Sequence, residues 1–298
     1  MENTALVFIK PHAHTTEGVQ YITSFLAEHG LNITATGILS ANDIIDREII
    51  DQHYSSIAAA AVWNTPDKLQ ISAEAKDRFR TYFNASWDAL LSDGKLANSI
   101  QAQKLLGVPS GAKLNEIWKA SSQTKVAPGV YAAYFTDHDL YVINGFYPAM
   151  KELYTSPGSS VTWHIVSFLP ETLPWKTFRG SVVGATNPEK AAPGSLRNEL
   201  FTHWSSLGMQ YPPNMTENGI HASAGPIEGL KERIIWTGID LSQDPLGQAL
   251  RDAGLTDDKI EAFLANPEVT IDGTSGPLFD LTEDTDTDAA LHMILNTE

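Results

Sequence analysis

The chain has 298 residues and no cysteine, and 42% of its residues are apolar while 19% are charged. This composition is typical of a folded protein with one or two domains. The formal net charge of −16 argues against nucleic acid or an anionic membrane as the principal partner. No apolar run approaches the ~20 residues of a membrane span, and the N-terminus lacks the features of a secretory signal, so the sequence predicts a cytoplasmic protein.

The negative charge is concentrated at the C-terminal end. From Asp240 onward there are fourteen acidic and two basic residues, a net charge of −12. We predict one domain over residues 1–238 and an acidic helical extension over 239–298, which either has a role of its own or only solubilises the chain. Residues 280–288 are poor in apolar side chains and are predicted to be mobile. Removal of the extension is expected to leave the domain folded and active.

The first 54 residues predict the order strand, helix, strand, helix. Thr4–Ile9 is a short β-rich apolar run, and Thr16–His29 has apolar residues at helical spacing up to Gly30. Leu31–Leu39 alternates as a strand does, and Ser40–Tyr54 begins with a cap signal and continues one helical face. This order indicates an α/β or α+β fold.

Residues 55–145 differ in character and predict a helical insertion. One long amphipathic helix is predicted, ending at Gly94, with further helices over 96–106 and 114–120. The apolar stripe of the long helix consists of Ile71, Ala75, Phe79, Phe83, Trp87 and Leu90.

The second half returns to alternating elements. A helix is predicted over Phe146–Tyr154, a strand over Ser160–Leu169, and helices over Leu173–Val183 and Glu228–Trp236. In the acidic extension, cap and stop residues predict three helices, which begin near Asp244, Thr256 and Thr287.

The segment Asn218–Ser223 places His221 among glycine and small residues. Neutral imidazole is a good nucleophile near pH 7, so a histidine in such a turn is a candidate for covalent catalysis. Arginine, threonine and asparagine side chains upstream could neutralise and bind a phosphate group. A lone histidine is more often structural, and only the joint arrangement of these residues favours catalysis.

Several further motifs lie in a fixed order around this histidine. They are Ile9-Lys10-Pro11, His53-Tyr54, Phe146-Tyr147-Pro148, Lys176-Thr177-Phe178-Arg179, Thr186 within Gly184–Pro188, Arg197 at the end of Pro193–Arg197, and Glu232. With Asn218 and His221, this set resembles the nucleoside diphosphate kinase family over residues 1–54 and 146–236. The resemblance implies an α+β fold with a ferredoxin-like βαββαβ core and an antiparallel sheet.

The resemblance also implies a role for each matched residue. His221 would carry the phosphoryl group, Glu232 would orient its imidazole, and Tyr54 would pack beside it. The nucleotide contacts would come from Lys10, Arg179, Thr186 and Arg197 at the phosphates, Asn218 at the ribose 3′ hydroxyl, and Phe146 at the base. Nucleoside di- and triphosphates are the expected partners, Mg²⁺ the expected cofactor without dedicated protein ligands, and a homo-oligomer the expected assembly.

The chain departs from the family pattern at several places. The lysine-proline pair is followed by His12, and His12 with His14 could form a metal pair, although two such histidines on a loop are more often incidental. One residue is added after Arg179, the segment from Arg197 to Asn218 is longer than usual, and Ala224 stands where the family commonly has an aspartate. Two alternatives therefore stay open, a nucleotide-binding module without turnover and a phosphohistidine phosphotransferase with a different acceptor.

Overall fold

The computed structural model describes residues 1–297 and divides into two compact units. Residues 1–40 and the chain from Ser160 onward form what we call the core unit, and Ala41–Ser159 forms the inserted unit. The inserted unit is longer at both ends than the predicted insertion over 55–145. The predicted boundary near Gly238 does not separate compact units, because both sides of it belong to the core unit.

The strands within residues 1–297 are β1 Asn3–Ile9, β2 Asn32–Ser40, β3 Leu96–Asn98, β4 Ser122–Ala127, β5 Val130–Phe135, β6 Leu140–Ile143, β7 Ser160–Phe168, β8 Ile220–Ala222, β9 Glu268–Ile271 and β10 Thr274–Pro277. The α-helices of the same residues are α1 Thr16–Glu28, α2 Ala41–Asp46, α3 Ile49–His53, α4 Ser55–Ala58, α5 Ala73–Phe83, α6 Trp87–Ser92, α7 Ser99–Leu106, α8 Gly111–Ala120, α9 Tyr147–Thr155, α10 Trp175–Thr177, α11 Leu196–His203, α12 Pro226–Thr237, α13 Pro245–Asp252, α14 Asp257–Leu264, α15 Leu278–Thr282 and α16 Thr287–Leu295. Short 3₁₀ turns connect some of them, and Ala59–Trp63 and Phe178–Val183 are π-helical.

The core unit is built on a four-stranded antiparallel sheet in the order β2-β7-β1-β8. With α1 between β1 and β2, and α10 and α11 between β7 and β8, this is the ferredoxin-like βαββαβ arrangement, and the predicted α+β fold is confirmed. Strand β1 is paired along both edges and is buried on both faces, because other elements pack on each side of the sheet. Ala5, Val7 and Ile9 pack on one face with α1, whereas Phe8 lies on the other face beside Trp236 of α12.

The acidic extension shares a core with α12. Ile227 and Leu230 of α12 are fully buried in one cluster with side chains of α13 to α16. Arg233 of α12 donates from Nε and Nη2 to the two carboxylate oxygens of Asp244, at 2.6 and 2.9 Å, and both side chains are buried. The extension is therefore part of the core unit, contrary to the expectation that it can be removed without loss.

The inserted unit contains a second four-stranded sheet, in the order β3-β6-β5-β4. Alternate residues of β5 belong to two cores, since Ala132 packs with Phe79 and Trp87, while Ala133 packs with Leu114 and Trp118. Helices α5 and α6 supply the first core, and α7 and α8 supply the second. The predicted helical insertion is therefore wrong in secondary structure, because this segment is a mixed α and β unit.

Left-handed residues account for two other differences from the predicted helices. Asn84, at φ 52°, ends α5, and Ser86 then caps α6, so the predicted long helix is two helices. Glu48, at φ 49°, likewise separates α2 from α3 within the predicted helix that follows Ser40. Such backbone is uncommon for residues other than glycine and interrupts a helix wherever it occurs.

Segment 280–288 is not the mobile stretch that its composition predicted. Asp286 accepts hydrogen bonds from the side chain of Asn3 and from the backbone N–H of Trp175, both at 2.7 Å. Asp284 donates its backbone N–H to Ala224 at 3.1 Å. These polar contacts hold a segment that has few apolar side chains. No helix in the described part of the chain combines the length and apolar character needed to cross a bilayer.

Candidate active site

Gly219 sets the position of the strand that carries His221. Its φ of +90° and its contact with Leu200, which lies 2.3 Å from where a Cβ would be, require glycine here. The carbonyl of Gly219 accepts from the N–H of Lys10 at 2.9 Å, and its own N–H donates to His12 Nε2 at 3.1 Å. Both the N–H and the carbonyl of Gly219 are therefore hydrogen-bonded just before β8 begins.

The imidazole of His221 is held by a buried carboxylate. His221 Nε2 lies 2.6 Å from Glu232 Oε1, and Glu232 is only 3% exposed. Ser223 Oγ donates to the other carboxylate oxygen of Glu232 at 2.6 Å and accepts from the N–H of Leu6 at 2.9 Å. A series of hydrogen bonds thus links β1 through Ser223 and Glu232 to the imidazole of His221. Ser223 was not among the predicted site residues.

Aromatic stacking fixes the plane of the same ring. The His221 ring stacks on Phe8 with centroids 4.7 Å apart and planes 17° apart. Phe8 in turn stacks on Trp236 at 4.1 Å and 22°. Because Phe8 and Trp236 are fully buried, the imidazole rests on a rigid apolar support.

A cavity of about 880 Å³ opens beside His221, within the size range of ligand pockets. It is lined by predicted site residues that are far apart in sequence, namely Lys10, Arg179, Thr186, Arg197, Asn218 and His221. Lys176 adds a further cation, and Glu228 and Asp284 are the acidic residues of the lining. The cavity is thus richer in positive charge than the acidic chain as a whole.

Arg197 is held by the backbone of two segments that border the cavity. Its Nη1 donates to the carbonyl of Gly184 at 2.8 Å, and its Nη2 donates to the carbonyl of Ile220 at 3.3 Å. Gly184 lies at φ +90°, and a Cβ there would come within 2.3 Å of Ser195 Oγ. The predicted phosphate-contacting loop is therefore tied to the strand that carries His221.

Asn218 belongs to the lining of the same cavity. Its side chain is 2% exposed, and its Nδ2 donates to the carbonyl of Thr186 at 3.1 Å. Within residues 1–297 its Oδ1 has no hydrogen-bond partner. A buried carbonyl oxygen left without a partner is costly, so this atom needs a donor from water or from a ligand.

Lys10 is held by the segment between Arg197 and Asn218. Its Nζ donates to the carbonyl of Thr216 at 3.0 Å. Burial, and then the positive charge of Arg197, lowers the pKa of Lys10 to about 8. This lysine is therefore a cation near neutral pH that loses its charge under mildly alkaline conditions.

Arg179 is held by the acidic extension. Its Nη1 donates to Glu283 Oε1 at 2.5 Å and to Asp284 Oδ1 at 2.9 Å. The three side chains are 30%, 43% and 39% exposed. Because these carboxylates follow Arg179 by more than a hundred residues, no local sequence signal could have predicted the contact.

The two histidines after Lys10 contact different partners. His12 accepts from Gly219, and burial, with the nearby charge of Lys10, lowers the pKa of His12 to about 4. The two ring nitrogens of His14 instead contact the hydroxyls of Thr162 and Ser160, at 2.7 and 3.0 Å. Each ring therefore has its own structural partners.

Tyr54 and Phe146, the remaining predicted site residues, belong to the inserted unit. Tyr54 follows α3 and packs edge-on against His53, with ring centroids 4.5 Å apart. Phe146 is half-buried and packs edge-on against Trp118 and Tyr131, at 5.5 and 5.7 Å. Their roles beside the nucleotide stay predictions.

Comparison with known proteins gives similarity to solved structures only. No protein family and no curated protein matches the chain. Solved structures similar to it include a nucleoside diphosphate kinase from Encephalitozoon cuniculi, with 17% identity, a TM-score of 0.38, and coverage of 80% of this chain and 90% of that one. An NDP kinase from Pyrobaculum aerophilum has 18% identity and a TM-score of 0.39, with coverage of 79% and 96%.

A third similar structure is the nucleoside-diphosphate kinase from Borrelia burgdorferi with bound vanadate and ADP. It has 16% identity and a TM-score of 0.36, with coverage of 79% of this chain and 86% of that one. Similarity at this level does not extend to activity.

Proposed function

We propose that this protein transfers the γ-phosphoryl group of a nucleoside triphosphate to a nucleoside diphosphate, through a phosphohistidine on His221. The observation that carries the proposal is the bond between His221 Nε2 and the buried Glu232 at the wall of a cavity lined by Lys10 and Arg197. A nucleophile, a group that orients it and cations for the transferring phosphate are thus present at one place.

The hydrogen bond to Glu232 supports Nδ1 as the reactive nitrogen of His221. A carboxylate accepts, so Nε2 of neutral His221 carries the proton and Nδ1 carries the lone pair. In the proposed step Nδ1 attacks the γ-phosphorus, a P–N bond forms, and the bond to the bridging oxygen breaks so that the diphosphate leaves with the electron pair. A β-phosphate oxygen of the second nucleotide then attacks phosphorus, and the P–N electrons return to Nδ1.

The cavity residues have roles that fit this transfer. Lys10, Arg179 and Arg197 would neutralise phosphate charge, because phosphoryl transfer depends chiefly on positioning and electrostatic stabilisation. The unpartnered Oδ1 of Asn218 would accept from a ribose hydroxyl. Thr186 lies at the cavity wall and would add a hydroxyl donor.

Magnesium fits this site only as part of the nucleotide complex. Oxygen ligands suit Mg²⁺, and the carboxylates of the cavity wall are Glu228 and Asp284. Burial, and then the charge of Glu232, raises the pKa of Glu228 well above its usual range, while Asp284 is bonded to Arg179. We therefore propose that Mg²⁺ is held by the nucleotide phosphates rather than by these side chains.

Labelling with γ-³²P ATP tests the proposal. We expect one acid-labile, alkali-stable phosphate on the protein, its loss in His221→Ala, and its retention in the control His203→Ala, whose side chain is 51% exposed. Mass spectrometry that places a full-strength phosphate on another residue of His221→Ala would contradict the assignment.

The same labelled protein separates the alternatives. Added CDP should remove the label and yield labelled CTP. Binding of ADP without any labelling would favour the nucleotide-binding module. A stable label that no nucleoside diphosphate removes would favour a different acceptor.

A further inference from the structure

We propose that Glu283 and Asp284 are positioning residues for Arg179, so that the acidic extension completes the phosphate site. This inference rests on the proposed function, and it concerns residues outside the segments that resemble the kinase family. It assigns a role to the charge-rich end of the chain, which composition alone left open.

The carboxylates use only one nitrogen of the guanidinium. Both bonds of Arg179 involve Nη1, and neither Nε nor Nη2 has a partner within residues 1–297. A guanidinium has five donors in a fixed fork, and the edge formed by Nε and Nη2 matches two oxygens of a phosphate. The carboxylates and a phosphate could therefore share Arg179, with neither displacing the other.

The extension holds these carboxylates in place relative to His221. The N–H of Asp284 donates to the carbonyl of Ala224, which follows the strand of His221. Gly225 lets the extension pack closely against the start of α12, because a Cβ at Gly225 would lie 2.8 Å from the carbonyl oxygen of Thr282. On the other side, Asp286 accepts from the N–H of Trp175, which begins the turn leading to Arg179. Hydrogen bonds thus connect the segment of Glu283 and Asp284 both to the strand of His221 and to the helical segment that leads to Arg179.

The opposite effect, repulsion of phosphate by the two carboxylates, is the competing interpretation. Both carboxylates are about 40% exposed, so solvent and salt screen their long-range effect on a phosphate. A hydrogen bond to Nη1 acts at contact distance and restricts an otherwise flexible side chain before the ligand arrives. We therefore expect positioning to exceed repulsion at physiological salt.

Binding of ADP, measured by calorimetry at physiological salt, tests the inference in a double-mutant cycle. Glu283→Gln/Asp284→Asn should raise the Kd for ADP about five-fold, or about 1 kcal/mol. In an Arg179→Ala background the same pair of substitutions should leave the Kd unchanged or lower, because no guanidinium remains to be positioned. A purely structural role of the extension would weaken binding equally in both backgrounds and would overturn the inference.

A charge-matched control removes two other carboxylates of the extension. Asp280→Asn/Asp288→Asn changes the net charge equally at exposed positions that do not line the cavity, and should leave the Kd unchanged. Tighter ADP binding by Glu283→Gln/Asp284→Asn in both backgrounds would show repulsion and overturn the inference, as would an unchanged Kd. Wild-type protein that does not bind ADP at all would instead refute the proposed function, and the inference with it.

Discussion

Two arginines line the same cavity and are held in different ways. Arg197 donates to the backbone carbonyls of Gly184 and Ile220, which belong to segments on either side of it in the core unit. Arg179 donates to the side chains of Glu283 and Asp284 in the acidic extension. One arginine is thus an element of the fold, whereas the other depends on a long-range contact between side chains.

This difference predicts which property each arginine affects when it is substituted, the stability of the fold or the binding of nucleotide. Backbone carbonyls cannot be substituted away, and each of those bonded to Arg197 would lose a partner if the arginine were removed. The partners of Arg179 are exposed carboxylates that water can solvate. We therefore expect Arg197 to couple stability with catalysis, and Arg179 to affect nucleotide binding with little effect on stability.

The largest effect is expected from removing the extension. A chain ending at Gly238 would lose Asp244 and expose the apolar side of α12 around Ile227 and Leu230. Breaking a buried ion pair on one side costs about 3–5 kcal/mol, comparable with the whole stability of many domains. We expect this protein to unfold or aggregate, as measured by circular dichroism and gel filtration.

A substitution in the full chain makes this test sharper. Asp244→Ala should lower the free energy of unfolding in urea by about 3–5 kcal/mol, because the buried Arg233 keeps its charge without the carboxylate that neutralises it. The control Asp252→Ala removes an exposed carboxylate of α13 and should change stability by less than about 0.5 kcal/mol. A folded, phosphorylated 1–238 fragment would show that the extension is separable after all.

Replacing each arginine in turn measures the contrast between the two. Arg197→Ala should reduce kcat/KM about 100-fold and lower the free energy of unfolding by about 1–3 kcal/mol, because it also leaves two carbonyls without their partner. Arg179→Ala should reduce kcat/KM about 10-fold and change stability by less than about 1 kcal/mol. Urea unfolding and steady-state kinetics on the same samples provide both numbers, and equal losses of stability would contradict the distinction.

Sequence reasoning succeeded where the signals are local. The helix predicted from Thr287 to Leu295 has those bounds in the structure, and β1 differs from its prediction by one residue. His221 and Glu232 were paired from their spacing within the family pattern, and the structure places them 2.6 Å apart. A short strand followed by a helix brings these positions together without help from distant parts of the chain.

Sequence reasoning failed where local patterns are ambiguous. The apolar run Val130–Phe135 was assigned to a helical insertion, because a short apolar run has no periodicity that separates a strand from a helix. Gly129 lies in the turn between β4 and β5, and Asp139 lies in the turn between β5 and β6. Both have positive φ, and glycine and aspartate are common turn residues, so these two positions were the available signals for strands here.

The contacts between the acidic extension and the rest of the core unit could not be predicted for a different reason. Composition indicated a mobile stretch over 280–288, and composition does not report hydrogen bonds to distant partners such as Asn3 and Trp175. The contact of Arg179 with Glu283 depends on the same long-range docking.

The last prediction changes the pH instead of a side chain and concerns Lys10, the cation next to Arg197. Its pKa of about 8 means that Lys10 is mostly charged at pH 7 and mostly neutral at pH 9. Because a phosphate favours the charged form, binding should weaken as the pH rises through the pKa of the free protein, with the Kd for ADP up to about 10-fold higher at pH 9 than at pH 7. Phosphate ionises near pH 6, so the charge of the ligand is nearly constant over this range.

Of the other titratable groups, His12 and Tyr211 do not change charge in this window, whereas Glu228 of the same cavity does, because burial and then the charge of Glu232 raise its pKa to about 8. His12 has its pKa lowered to about 4, and that of Tyr211 is raised to about 12 by burial and by its bond to Glu217. Lys10→Arg keeps its charge at all these pH values, so only the ionisation of Glu228 remains, and the rise in Kd from pH 7 to 9 should be clearly smaller than in the wild type. Parallel slopes for wild type and Lys10→Arg would assign the pH dependence to another group and remove Lys10 from the phosphate contacts, leaving Arg197 as the principal fixed cation of the cavity.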